Sequence, residues 1–158
     1  MTVEMASFQP VPRMGLEALS PRSELTPELW TNINDEFQER LKLLETEIRR
    51  QMPGVQVTTG RTKGENFFLF SYCTFSMPGS AIDPVVVGIT FTPAHSDVAV
   101  AADASGEQTG DLIFSTPIKT VANSREELLA MARTSAWELC QSAAAIVAAI
   151  QDAARMVE

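Results

Sequence analysis

The residues that could do chemistry are few. His95, the only histidine, sits in "TPAHSD" two residues before Asp97, a pairing that could supply a general base or a metal ligand. The surrounding turn-forming residues favour a solvated hairpin position for it. A structural zinc site draws four ligands from Cys, His and acidic side chains, and the two cysteines, Cys73 and Cys140, share no C-x-x-C spacing. Asp97, Asp103, Glu107 and Asp111 cluster around turns. A carboxylate pair or a calcium loop would need them to converge, and the EF-hand pattern is absent.

"GRTKGEN", residues 60–66, places Arg61 and Lys63 between two glycines. A phosphate-binding loop needs G-x-x-x-x-G-K-[ST], and this stretch has neither that spacing nor the terminal Lys-Ser/Thr pair, so a basic turn is expected. Cys73 would need a neighbouring base to act as a nucleophile, and its place between Phe70 and Phe75 predicts a packed thiol instead. No catalytic residue, metal ligand or cofactor is therefore assigned. An enzyme using the turn carboxylates and His95 ranks below the binding functions argued next.

The elements that must position any site follow from periodicity. Thr26, Pro27 and Glu28 open a helix whose apolar stripe is Trp30, Ile33, Phe37, Leu41, Leu44 and Ile48, stopped by "MPG" at 52–54. Strands are expected at 55–60, 66–76, 84–92, 97–103 and 111–119. Their connections are too short for crossover helices, so the strands form an antiparallel meander. Ser124 with Glu127 makes a capping box, and a three-four alternation from Leu129 through Ile146 and Ile150 to Val157 predicts one long C-terminal helix.

The expected fold is α+β: an N-terminal helix, a five-stranded antiparallel meander and a long C-terminal helix, both helices on one sheet face. Residues 1–24, with Pro10, Pro12 and Pro21, read as an extended N-terminal arm, and residues 25–158 as a single domain. In being small and acidic, with helices flanking an antiparallel sheet, the chain is similar to bacterial type III secretion chaperones, which are dimeric. Those chaperones carry a further helix between the third and fourth strands, for which "TPAHS" leaves no room.

The strand "ENFFLFSYCTFS" frames the functional question, because it is apolar on both parities. Phe67, Leu69, Cys73 and Phe75 point to one side, Phe68, Phe70 and Tyr72 to the other. An antiparallel sheet facing water should alternate more cleanly, so the second face needs a cover. A single long helix would also overhang the sheet and expose its seam. Both features point to a homodimer, with Phe68, Phe70, Tyr72, Ile146 and Ile150 as interface or ligand-binding residues.

The function expected is a non-catalytic protein-binding module of adaptor, chaperone-like or immunity type. The alternative is a carrier of a small apolar ligand in a cleft of the sheet. A net charge of −8 repels phosphate backbones and suits a basic or apolar protein partner, not nucleic acid. No apolar run is long enough for a membrane span, no secretory leader is evident, and the cysteine usage suits a cytoplasmic protein.

Overall fold

The computed structural model describes residues 25–78 and 83–157, with side chains described to residue 152. The predicted arm at 1–24 lies outside the described residues. In chain order the elements are α1 (Pro27–Gln51), β1 (Gln56–Thr62), β2 (Leu69–Ser76), β3 (Val85–Ala94), β4 (Asp97–Gly106), β5 (Leu112–Ser115), β6 (Lys119–Val121), α2 (Arg125–Cys140) and α3 (Ala143–Val157). The architecture is α+β with an antiparallel sheet, as expected. Among the described residues no helix is long and apolar enough to cross a membrane.

Local chemistry sets the helix ends. The Thr26 hydroxyl accepts from the Leu29 amide at 3.2 Å, and Pro27 occupies a position whose N–H would have no helical partner. At the other end the Met52 amide closes on the Ile48 carbonyl at 2.7 Å before Pro53 and Gly54 turn the chain. Leu29, Ile33, Phe37, Leu41, Leu44 and Ile48 are buried along one stripe of α1. The outer face carries ion pairs such as Glu36–Arg40 at 2.7 Å and Glu45–Arg49 at 2.9 Å, each worth only a few tenths of a kcal/mol at about this exposure.

The sheet runs β1-β2-β3-β4 by antiparallel pairing, and β4 then pairs with both β5 and β6. The predicted fifth strand, 111–119, is thus two short strands sharing one edge. Pro117 has no N–H to donate, and Thr116 turns inward to bond Ala102 through both its amide and its hydroxyl. Pairing also shifts between Ala104 and Ser105, a bulge that sets Leu112 opposite Ser105. Leu112, which strict alternation would place on the same side as Phe114, is exposed as a result, and Ile118, between β5 and β6, is exposed too.

The single C-terminal helix predicted from the seam is also corrected. The chain breaks at Gln141 and Ser142, where the Ser142 hydroxyl donates to the Leu139 carbonyl at 2.6 Å and competes with the helical ladder. The Ser142 carbonyl then accepts the first bond of α3, from Ile146 at 3.0 Å. The break turns an overhang into two helices of about 24 and 22 Å. Ile146 and Ile150 become core residues, 0% and 2% exposed within the single chain.

One apolar cluster joins these parts: the α1 stripe, Leu128, Ala132, Ala136 and Leu139 of α2, and alternate residues of the strands such as Phe75, Val87, Ile89, Phe91 and Val100. A polar bridge runs through it. Ser71, fully buried on β2, donates to Asn34 at 2.7 Å, while Gln38 donates to the Ser71 hydroxyl and the Tyr72 carbonyl, both at 2.9 Å. Satisfied in this way, the buried hydroxyl fixes the register of α1 against β2.

The other parity of the sheet is organised by two glycines. Cross-strand pairing aligns Gly60, Tyr72, Gly88 and Asp103 in one row. The Tyr72 ring lies where a Cβ on Gly60 would sit, and the Phe70 ring lies where one on Gly88 would sit. The two rings stack at 5.0 Å with 19° between planes. The close approaches differ in kind. A Cβ at Gly60 would meet only the far end of the Tyr72 side chain, whereas one at Gly88 would also meet the Ser71 carbonyl at 2.9 Å. Gly88→Ala should therefore cost about 1–3 kcal/mol in urea denaturation, and Gly60→Ala less than about 1 kcal/mol, because only the tyrosine can swing aside.

Candidate functional site

A cleft opens where the first turn of α1 meets the loop from β1 to β2. Its volume is about 660 Å³, and Leu25, Pro27, Trp30, Thr31, the run from Arg61 to Glu65, Phe67 to Leu69 and Pro93 line it. Each wall has a local cause. Pro27 and the Thr26 cap start α1 here, so Trp30 and Thr31 lie within its first turns. The Phe68 amide donates to the Phe91 carbonyl at 2.7 Å, which continues the β2–β3 pairing one step beyond β2. In the loop, the Phe67 ring packs on Gly64, where a Cβ would clash with it.

Aromatic contacts shape the floor. Trp30 stacks on Phe68 at 5.0 Å with 16° between planes and meets Phe91 at 5.6 Å, tilted by 55°. The rim is polar. Arg61 donates to the Thr31 hydroxyl at 3.1 Å and ties the end of β1 to α1, with Lys63 and Glu65 of the loop beside it. An apolar body would bind the floor and a polar or acidic end the rim, the usual division in a binding cleft.

The expected site residues do not gather here as a set. Phe68 is in the cleft, stacked against α1, and not with Phe70 and Tyr72. It precedes β2, so the strand alternation assumed for it does not extend that far. Phe70 and Tyr72 lie on the glycine-bearing parity, half-buried. Ile146 and Ile150 are buried in the chain's own core and present no surface to a partner. Trp30 and Phe67 were missed as cleft residues, because Trp30 reads from spacing as core stripe and Phe67 as strand. The glycines of "GRTKGEN" are the one signal that could have marked this loop as a wall.

The residues considered for catalysis are dispersed. His95 occupies the two-residue turn between β3 and β4 with φ of 59°, the positive value that primed hairpin turns require at their first position. Glu107 and Asp111 lie beyond the other end of β4, a ten-residue strand that separates them from His95 by roughly 30 Å. Among the described residues no group of three or more His, Cys, Asp or Glu side chains could hold a metal. Burial pushes the Cys73 thiol up to about 12, so at neutral pH it is a protonated packing group. Cys140, also raised by burial, is only half-buried and contacts the Arg40 carbonyl at 3.8 Å.

Asp83 and Asp103 carry the two remaining carboxylates of interest. Burial tends to raise Asp83, but the Thr109 and Gln108 amides and the Thr109 hydroxyl outweigh it and hold its carboxyl below the usual range. That bonding clamps the β4–β5 turn. Asp103 is the reverse case, raised by burial in the row that includes Tyr72. A raised folded-state value means its contribution to stability is full below the unfolded value and lost as pH rises through the folded one. Asp103→Asn should therefore raise the urea midpoint at about pH 7, with the difference from wild type vanishing at about pH 3.

No protein-family model, no curated protein and no solved structure matches this chain.

Proposed function

We propose that this chain is a non-catalytic protein-binding module, adaptor-like or chaperone-like, whose cleft at Trp30, Phe67 and Phe68 receives an apolar segment of a partner protein. The observation that carries the reading is the cleft itself: aromatic floor, basic-and-acidic rim, and no nucleophile–base pair among the residues that line it. An extended apolar segment could lay its side chains on the Trp30–Phe68 stack while its charged groups meet Arg61, Lys63 or Glu65. The net charge of −8 favours a partner that is basic around that segment.

The same reading makes the protein a homodimer. We infer that the helices all cover the parity of Phe75, Ile89 and Phe91, which leaves Phe70, Tyr72 and exposed Leu112 on the other. Two such faces, stacked about a twofold axis, would complete the burial that the aromatic pair begins. A cytoplasmic setting accords with free Cys73 and Cys140. A second reading, a carrier of a small apolar ligand, is favoured by the cleft volume alone, which falls within the range of about 300–1,000 Å³ common to ligand pockets.

Two experiments test these points. Anilinonaphthalene sulfonate should light up in the cleft, and Trp30→Ala should weaken its binding at least about fivefold, as expected for loss of a buried aromatic contact. A Leu- and Lys-rich peptide should then displace the dye. Displacement by myristate but not by the peptide would favour the carrier, and dye binding indifferent to Trp30 would refute both. In sedimentation equilibrium the protein should run as a dimer, and Phe70→Glu should give a monomer with unchanged circular dichroism. A wild-type monomer at every concentration refutes the dimer.

A further inference from the structure

The two edges of the sheet are built differently. At one edge β5 and β6 are four and three residues long, split at Pro117 and offset by the bulge at Ala104 and Ser105. Short strands, proline and bulges all discourage the addition of a further strand. The other edge, β1, has none of these. Its seven residues pair with β2 in unbroken register and include no proline and no acid. Alternate residues of such a strand turn their amide and carbonyl away from the partner strand. Among the described residues no further strand pairs with that side of β1. We propose that an extended segment of the partner protein adds to β1 as an antiparallel seventh strand, presenting an acidic residue followed by two apolar residues at alternate positions. This rests on the reading of the cleft as a protein-binding site.

The α1 side of β1 supplies the pockets. Thr59 and Arg61 share the parity of Cys73 and Phe75, and Arg61 bonds Thr31 of α1 there. Beside Thr59 a second, smaller cavity of about 110 Å³ lies between α1 and the sheet, lined by Leu41 and Cys73 with Gln38, Lys42 and Glu45. Beside Arg61 lies the cleft. The two openings are therefore two residues apart on one parity, about 7 Å along the strand. Alternate side chains of an added strand have that same spacing, so one meets the cleft as the next meets the smaller cavity. Backbone pairing then supplies affinity and the two openings supply specificity. Charge sets the direction. Arg61 bonds only the neutral Thr31 hydroxyl, and neither it nor Lys63 pairs with a carboxylate among the described residues, Glu65 on the same rim included. An acidic residue is thus favoured at the Thr62 end, which is the N-terminal end of an antiparallel segment.

The test uses the full chain and the peptide Glu-Thr-Leu-Thr-Leu-Thr-Lys, carrying fluorescein on its lysine and followed by anisotropy. Two further forms are N-methylated, one at both leucines and the other at the second and third threonines. In an added strand one set of amides faces β1 and the other faces water. One methylated form should therefore bind about tenfold or more weakly than the other, as lost backbone hydrogen bonds require. Thr59→Met, which fills the smaller cavity from an exposed position, should weaken the unmethylated peptide about fivefold or more. Lysine in place of the peptide's glutamate should weaken it about threefold, and equal affinity overturns the acidic preference. Methylated forms that bind alike overturn strand addition, while dye binding still sensitive to Trp30→Ala leaves the cleft reading intact. A peptide that binds in no form also overturns strand addition, and dye binding indifferent to Trp30 overturns the cleft reading beneath it. If the peptide splits a dimer in sedimentation, a second copy holds the edge and the proposal fails. The methylated peptides act on the native chain, so they decide the matter whether or not Thr59→Met folds.

Discussion

The whole structure depends on one parity of β2, β3 and β4 leaving water. Leu69, Cys73 and Phe75, Val87, Ile89 and Phe91, and Val98, Val100, Ala102 and Ala104 are all buried. At about 1.5–3 kcal/mol for each large apolar side chain, this set dominates anything the surface ion pairs contribute. Burial alone is non-directional, however, and would allow α1 to slide. Ser71 supplies direction: a hydroxyl in the middle of that parity must be hydrogen-bonded, and only Asn34 and Gln38, one helical turn apart on α1, reach it.

The opposite parity solves its own problem locally. Phe70 and Tyr72 do not stand up from the sheet into water. They lie over Gly88 and Gly60 and stack on each other, so each ring hides one face and covers backbone that no side chain shields. This is why a strand apolar on both sides is compatible with a half-exposed face. It also leaves a partly apolar surface with a carboxylate, Asp103, held in the same row where burial disfavours its charge.

The cleft lies between the first turns of α1 and the β1–β2 loop, and the Trp30–Phe68 stack bridges the two without filling the space between them. Arg61 closes one side by reaching Thr31, and the rest stays open. Elsewhere on α1, Glu36 takes hydrogen bonds from Arg40 and from Arg133; the second joins α1 to α2, and together they hold the Glu36 carboxyl below its usual range. Trp137 and Leu43 remain exposed on these two helices, and nothing in their surroundings distinguishes a use for them.

By itself the sequence determined the elements whose signals are local. Thr26–Pro27 and Ser124–Glu127 mark helix starts through side chains that satisfy orphan amides, and 3.6-residue and two-residue periodicities mark the stripe of α1 and the alternation of β3 and β4. Short connections made the sheet antiparallel. Tertiary structure decided everything that depends on a partner distant in the chain. The bulge at Ala104 and Ser105, which turns Leu112 outward, exists only in the pairing of two strands. The Ser142–Leu139 bond at the helix break is local, but that Ile146 and Ile150 then fall in the core, and not on an exposed seam, is decided by packing against the rest of the chain. Phe68 joins Trp30 because β2 starts at Leu69, three residues later than the strand expected at 66–76. The cleft, finally, is a space between the start of α1 and a loop thirty or more residues further along the chain, and no periodicity within either segment can encode a space between them.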